Sequence, residues 1–244
     1  MASTKKPVAA AGPAKKNTTP IIIGVIASVV LIVVIVVVVA LAGGGDDGDS
    51  PFAEGATIRE FQGVEVVPED ASLPLATDGA QDPAVGMDSP GLVGASFDGT
   101  PVTVTPGDGK PYMLVFLAHW CQFCNAEVPR LVEWYEDGSV PEGLEVVGIA
   151  TGSDSTRQNF PPSEWLMIDN DWPFAAMADS PQSVASETFG LNAFPFIVMV
   201  DEEGKVALRT SGEKGKDVID QMVDDTFGFT PEDDMGPPSD TTAP

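Results

Sequence analysis

Leu117-Ala118-His119-Trp120-Cys121-Gln122-Phe123-Cys124-Asn125-Ala126-Glu127 holds the only two cysteines of a 244-residue chain. The apolar run from Tyr112 to Ala118 enters it, and a helix-patterned segment leaves it. That order spells strand, tight turn and helix N-terminus, with a thiol at the turn. The first turn of a helix carries unpaired N–H groups and about half a positive charge, which favours an anion. A thiol placed there ionises more easily than free cysteine, whose pKa is about 8.5. Cys124 follows one helical turn later, within reach of a mixed disulfide formed by Cys121, so the pair can cycle between dithiol and disulfide. Two other readings compete. A zinc site needs about four ligands, and the chain offers two cysteines and a single histidine, His119. A structural disulfide here would close a very short loop, where the entropic gain is smallest.

Outward from this stretch, the segments alternate. Phe97-Asp98-Gly99-Thr100 with Val102 to Thr105 reads as a hairpin, and Pro111 to Ala118 as a strand buried on both faces. Cys124, Val128, Leu131, Val132 and Tyr135 share one face of the next helix, with Pro129 expected to kink it. Leu144 to Ala150 is a second buried strand. Ser163 begins a short helix to Ile168, Phe174 to Ala178 a short strand, and Gln182 to Phe189 a helix ended by Gly190. Phe196 to Val200 and Lys205 to Arg209 flank the turn Asp201-Glu202-Glu203-Gly204. Val218, Ile219, Met222, Val223 and Phe227 mark a last helix. A parallel βαβ unit joined to an antiparallel hairpin gives an α/β fold: a central mixed sheet with helices on both faces.

The ends read differently. Residues 1–20 contain Lys5, Lys6, Lys15 and Lys16 and no acid, and read as a basic cytoplasmic tail. Residues 21–42 carry no charge and are long enough for one transmembrane helix. Lysines before it and Asp46, Asp47 and Asp49 after it orient the N-terminus inward and the remainder outward. Ala40-Leu41-Ala42 also fits a signal-peptidase site; either reading exports the domain. Residues 43–81 read as an acidic Gly/Pro-rich linker, with a short strand allowed between Ile58 and Val67. Residues 82–228 read as the globular domain, and 229–244 as a disordered acidic tail. The net charge of −25 disfavours nucleic acid and anionic lipid as partners of the acidic portion.

Taken together, the strand running into Trp120-Cys121-x-x-Cys124, the Cys-x-x-Cys-x-x-Glu-x-Pro pattern completed by Glu127 and Pro129, the preceding hairpin, and Phe194-Pro195 opening a late strand resemble the thioredoxin superfamily. More narrowly, the chain resembles the membrane-anchored thiol–disulfide reductases of the TlpA/ResA type in bacteria, over about residues 82–228. The resemblance implies a thioredoxin-like fold and an extracytoplasmic enzyme that needs no cofactor. Cys121 would attack, Cys124 would resolve, and a cis Pro195 would face them. Glu127 would be a buried proton acceptor for Cys124, where the residue alone reads equally as a surface carboxylate. Trp120 and Phe194 would form an apolar rim for a substrate strand, or simply core. His119 either steadies the Cys121 thiolate or is an exposed strand-end residue.

The implied partners are exported proteins with disulfides, apocytochromes among them. A membrane thiol carrier of the CcdA/DsbD kind would be the electron donor. Val115 stands where thioredoxins keep a buried aspartate, Gln122-Phe123 lacks the common proline, and Phe194 is larger than usual. Three alternatives remain: a disulfide-forming oxidase on the same fold; a peroxiredoxin-like enzyme, against which Ala118 stands where a Thr or Ser is needed; and a non-enzymatic tethered domain.

Overall fold

The computed structural model describes residues 50–77 and 82–229. The expected basic tail, the membrane helix at 21–42 and nearly all of the acidic tail lie outside the described residues. Among the described residues no helix is long and apolar enough to cross a membrane.

The strand that leads to the cysteines, β4 (Tyr112–Leu117), is buried along its whole length. It pairs in parallel with β5 (Glu145–Ala150) and antiparallel with β7 (Phe196–Val200). With β6 (Ala175–Ala178) and β8 (Val206–Ser211) at the edges, the five-stranded sheet runs β6-β5-β4-β7-β8. The two-residue period of β4 divides the core. Met113, Val115 and Leu117 pack with Val128, Leu131 and Trp134 of α1 (Gln122–Glu136) and with Ile219 and Val223 of α3 (Lys216–Phe227). Tyr112, Leu114 and Phe116 pack on the other face with Ala185 of α2 (Val184–Thr188), Phe189, and Leu92, Val102 and Val104. The mixed sheet with helices on both faces is therefore present, and a second, antiparallel sheet shares the covering of one face. It consists of β1 (Glu65–Val67), β2 (Gly91–Ala95) and β3 (Pro101–Val104), in that order.

Several local expectations are corrected. Trp134, fully buried, carries the inner face of α1, whereas Tyr135 is half exposed. Residues 163–168 form a π-helical turn, Glu164–Ile168, and the Ser163 hydroxyl does not cap it. That hydroxyl donates to Glu60 Oε1 (2.8 Å) and the Ser163 N–H to Glu60 Oε2 (3.0 Å). The short helix α2 begins later than its pattern suggests because the buried Asp179 receives the N–H groups of Ala185 and Ser186 at that point.

The segment read as a linker is built into the domain from residue 50. Its β1 pairs with β2, and Leu73 and Ala76 are buried. The closure comes from Arg209, 2% exposed, whose guanidinium donates to Asp82 Oδ1 and to the carbonyls of Pro74 and Phe189. Burial raises the Asp82 pKa, but the N–H groups of Ala84 and Thr77 and the Arg209 guanidinium outweigh it and hold the carboxyl below its ordinary value. Gly190 is required beside this contact. Its φ is +66°, and a Cβ there would lie 2.2 Å from the Pro74 carbonyl oxygen.

Candidate active site

The antiparallel pairing of β4 with β7 sets Phe116 opposite Phe196, so the residues leaving β4 meet those entering β7. Cys121 is the N-cap of α1, with φ −77° and ψ 120°. Its thiol donates to the Phe194 carbonyl at 3.8 Å, and it keeps 8% exposure. The Phe194–Pro195 peptide is cis, as are Val67–Pro68 and Phe160–Pro161. Cys124 is fully buried, and its sulfur accepts the Ala118 N–H at 3.5 Å. Both cysteines are free thiols. Burial pushes the Cys124 thiol well up, and Cys121 and Glu127 push the same way against the Ala118 N–H.

Glu127, one turn further along α1, is fully buried. Its Oε2 accepts the Lys214 N–H at 2.8 Å and lies 3.6 Å from Arg130 Nη1. Its Oε1 is buried without a hydrogen-bond partner. Burial raises its pKa to about 6, against the opposing pull of the Lys214 N–H and Arg130. The carboxyl therefore changes charge closer to neutral pH than an ordinary glutamate does, one helical turn from Cys124.

Trp120 and Phe194 meet edge to face with centroids 5.7 Å apart, both partly buried, and the Trp120 indole N–H donates to the Gly152 carbonyl at 2.8 Å. Arg157 lies over the Trp120 ring, its guanidinium carbon 4.1 Å from the centroid.

His119 is neither exposed nor aimed at the cysteines. It is fully buried, and both ring nitrogens are occupied. Nδ1 lies 2.7 Å from the Gln158 carbonyl, and Nε2 lies 3.1 Å from the Asp154 N–H. The backbone donor requires Nε2 to accept, so Nδ1 carries the proton and the ring is neutral. Burial lowers its pKa, aided by Arg157 and opposed by the Gln158 carbonyl, Asp154 and Glu60. A depressed histidine pKa stabilises the fold above about pH 6.5, and that contribution is lost as pH falls below it. Wild type is therefore expected to lose denaturant resistance relative to His119→Gln as pH falls from 7 to 5. Parallel pH dependences of the two proteins would refute the neutral clamp.

Asn125 has a place in the site that the cysteine motif does not mark. Its amide donates to the carbonyls of Cys121 (2.7 Å) and His119 (3.1 Å) and accepts from Trp165 Nε1 (2.9 Å) and Asn159 Nδ2 (2.7 Å). The one local sign was an asparagine, a poor helix former, in the first turns of α1.

A dithiol at a strand–helix junction, facing a proline-led strand across a thioredoxin-like mixed sheet, defines the class: a thiol–disulfide oxidoreductase. The chain belongs to the AhpC/TSA family, whose model matches residues 85–209, about half of its length and the whole cysteine site. It is 34% identical over 137 residues to probable nucleoredoxin 1 of Arabidopsis thaliana, covering 55% of this chain but only 22% of that protein. It is 25% identical over 140 residues to thiol-disulfide oxidoreductase ResA of Bacillus thuringiensis subsp. konkukian, covering 57% and 76% of the two chains. A thiol:disulfide interchange protein of Chlorobium tepidum superposes with a TM-score of 0.48 at 22% identity, over 62% of this chain and 99% of that one.

Proposed function

We propose that this enzyme reduces disulfides of exported proteins from the outer face of a bacterial cell membrane. The observation that carries the reading is the unequal pair: Cys121 on a helix N-cap with a small exposure, Cys124 fully buried one turn before a carboxyl with a raised pKa. In the first step Cys121, as thiolate, attacks one sulfur of the substrate disulfide. A mixed disulfide forms and the other substrate sulfur leaves as a thiolate, taking up a proton. In the second step Glu127 accepts the Cys124 proton. Cys124 attacks the Cys121 sulfur, the Cys121–Cys124 disulfide forms, and the second substrate sulfur leaves and is protonated. Two electrons and two protons pass to the substrate. Trp120, Phe194 and Pro195 form the wall against which the substrate strand lies.

The location rests on the sequence. The uncharged run 21–42 serves as a single-pass anchor, with 1–20 in the cytoplasm and the remainder outside. The oxidised pair is then recharged by a membrane thiol carrier of the CcdA/DsbD kind, and apocytochromes awaiting haem are among the substrates. The direction is read from the two residues between the cysteines: Gln122 and Phe123 are uncharged and add nothing that would favour the dithiol form. The peroxidase alternative lacks its hydroxyl, because position 118 is alanine.

The full chain in detergent should accelerate insulin reduction by dithiothreitol, and its pair should equilibrate with glutathione on the reducing side of about −200 mV. In spheroplasts, added protease should reach the domain while the lysine tail is protected. A potential near about −120 mV would recast the enzyme as an oxidase. A protected domain would overturn the location.

A further inference from the structure

We propose that Arg157 selects the substrate: it holds a positive charge at the mouth of the Cys121 site and favours disulfides with a carboxylate side chain beside the attacked cysteine. The inference rests on the thiol-exchange reading above and adds the chemical class of its protein substrate.

The first observation is where the charge sits. Arg157 is exposed and stacks on Trp120, the residue immediately before Cys121. A guanidinium on an indole face still offers its N–H edge to a carboxylate, often through two parallel hydrogen bonds. A peptide lying against Trp120 and Phe194 presents to it the side chain next to its half-cystine.

The second observation is that no ion pair holds this charge. Among the described residues Lys110, Arg130, Lys205, Arg209 and Lys216 each form an ion pair, whereas Arg157, like Arg59 and Lys214, forms none. The nearby Asp154 acts on Arg157 through space without an ion pair, and its Oδ1 accepts the Thr156 N–H (2.9 Å) and hydroxyl (2.7 Å).

The third observation is that the loop carrying Arg157 is fastened on both sides to the turn carrying Cys121. Asp154 and Gln158 bind the two nitrogens of His119, the Gln158 side chain donates to the Trp120 carbonyl (3.2 Å), and Asn159 donates to the His119 carbonyl (3.1 Å). A cation fixed in advance loses little entropy when a ligand arrives. The net charge of −25 repels an acidic substrate at long range. Salt screens that repulsion beyond about 8–10 Å, so a cation at the contact decides the choice.

The test uses the reduced full chain and three disulfide-bridged peptides that differ only in Glu, Gln or Lys beside the cysteines. The readout is the rate at which the protein dithiol is oxidised. Wild type should react with the Glu peptide about fivefold faster than with the Gln peptide, the effect of one partly exposed ion pair, and slowest with the Lys peptide. Arg157→Gln should bring the Glu/Gln ratio to about one, Arg157→Glu should invert it, and Arg157→Lys should keep it above one. Added salt should shrink the wild-type ratio. A wild type that reduces the three peptides equally overturns the inference and leaves the thiol chemistry standing. A ratio that survives Arg157→Gln assigns the preference elsewhere and also overturns it. A wild type inert toward all three peptides refutes the thiol-exchange reading and this inference together.

Discussion

Cys121→Ser should reduce insulin no faster than the uncatalysed background, while Cys124→Ser should accumulate mixed disulfides with its substrates. The asymmetry follows from placement. Cys121 is the helix N-cap and keeps a small exposure, whereas its partner has no exposed surface and a pKa pushed up by burial. Each unit by which a thiol pKa rises removes about tenfold of the thiolate at neutral pH, and the thiolate is the nucleophile. Iodoacetamide at pH 7 should therefore label Cys121 at least about a hundredfold faster than Cys124. Mass spectrometry of the alkylated peptides measures both rates in one sample. Comparable labelling, or substrates trapped through Cys124, would reverse the two roles.

Glu127→Gln should slow release from the mixed disulfide by about a hundredfold at pH 7, the lower end of what a positioned acid–base group supplies. Cys124 cannot attack until its proton leaves, and a carboxylate with a pKa of about 6 is mostly ionised at pH 7 and able to take it. The same substitution should move stability the other way. The folded pKa is raised from 4.5, so the contribution of Glu127 to stability is complete below about pH 4.5 and lost as pH rises through about 6. By pH 8 the ionised buried carboxylate costs about 2 kcal/mol, at 1.36 kcal/mol per unit. Glutamine carries no charge. The stability difference between Glu127→Gln and wild type should therefore shift by about 2 kcal/mol in favour of the variant between pH 4.5 and 8. Urea unfolding of both reduced proteins across that range tests it. A flat difference together with an unchanged release rate would leave Glu127 a packing residue.

The fold was legible where local pattern sufficed. The unbroken apolar run of β4, the thiols at its end and the Phe194-Pro195 entry to β7 gave the sheet and the place of the cysteines, because period and turn chemistry act between near neighbours. The remainder of the site was not legible, because it is assembled by residues far apart in the chain. His119 meets Asp154 across 35 positions, Lys214 meets Glu127 across 87, and Arg209 meets Asp82 across 127. A histidine at a strand end looks exposed until a loop from elsewhere closes over it. Tyr135 reads as the inner residue on one helical wheel, but the adjacent Trp134 takes that place, bonded to Asp220 of α3. Acidic, Gly- and Pro-rich composition made residues 50–77 look like a tether, although β1 and two buried side chains belong to the domain.

The way those residues are built in dictates where the protein can be shortened. A version beginning at residue 82, where the globular pattern starts, would leave Arg209 without the Pro74 carbonyl and strip Leu73 and Ala76 from the core. It would also leave β2 as an open edge, and unpaired edges recruit strands from other molecules. Glu60 would go as well, releasing Ser163 and the π-helical turn whose Trp165 holds Asn125 against the Cys121 carbonyl. A version cut just before residue 50 keeps all of these contacts. A shortened protein that precipitates, or cycles its thiols poorly, would then be reporting a lost strand and a lost brace rather than a lost membrane.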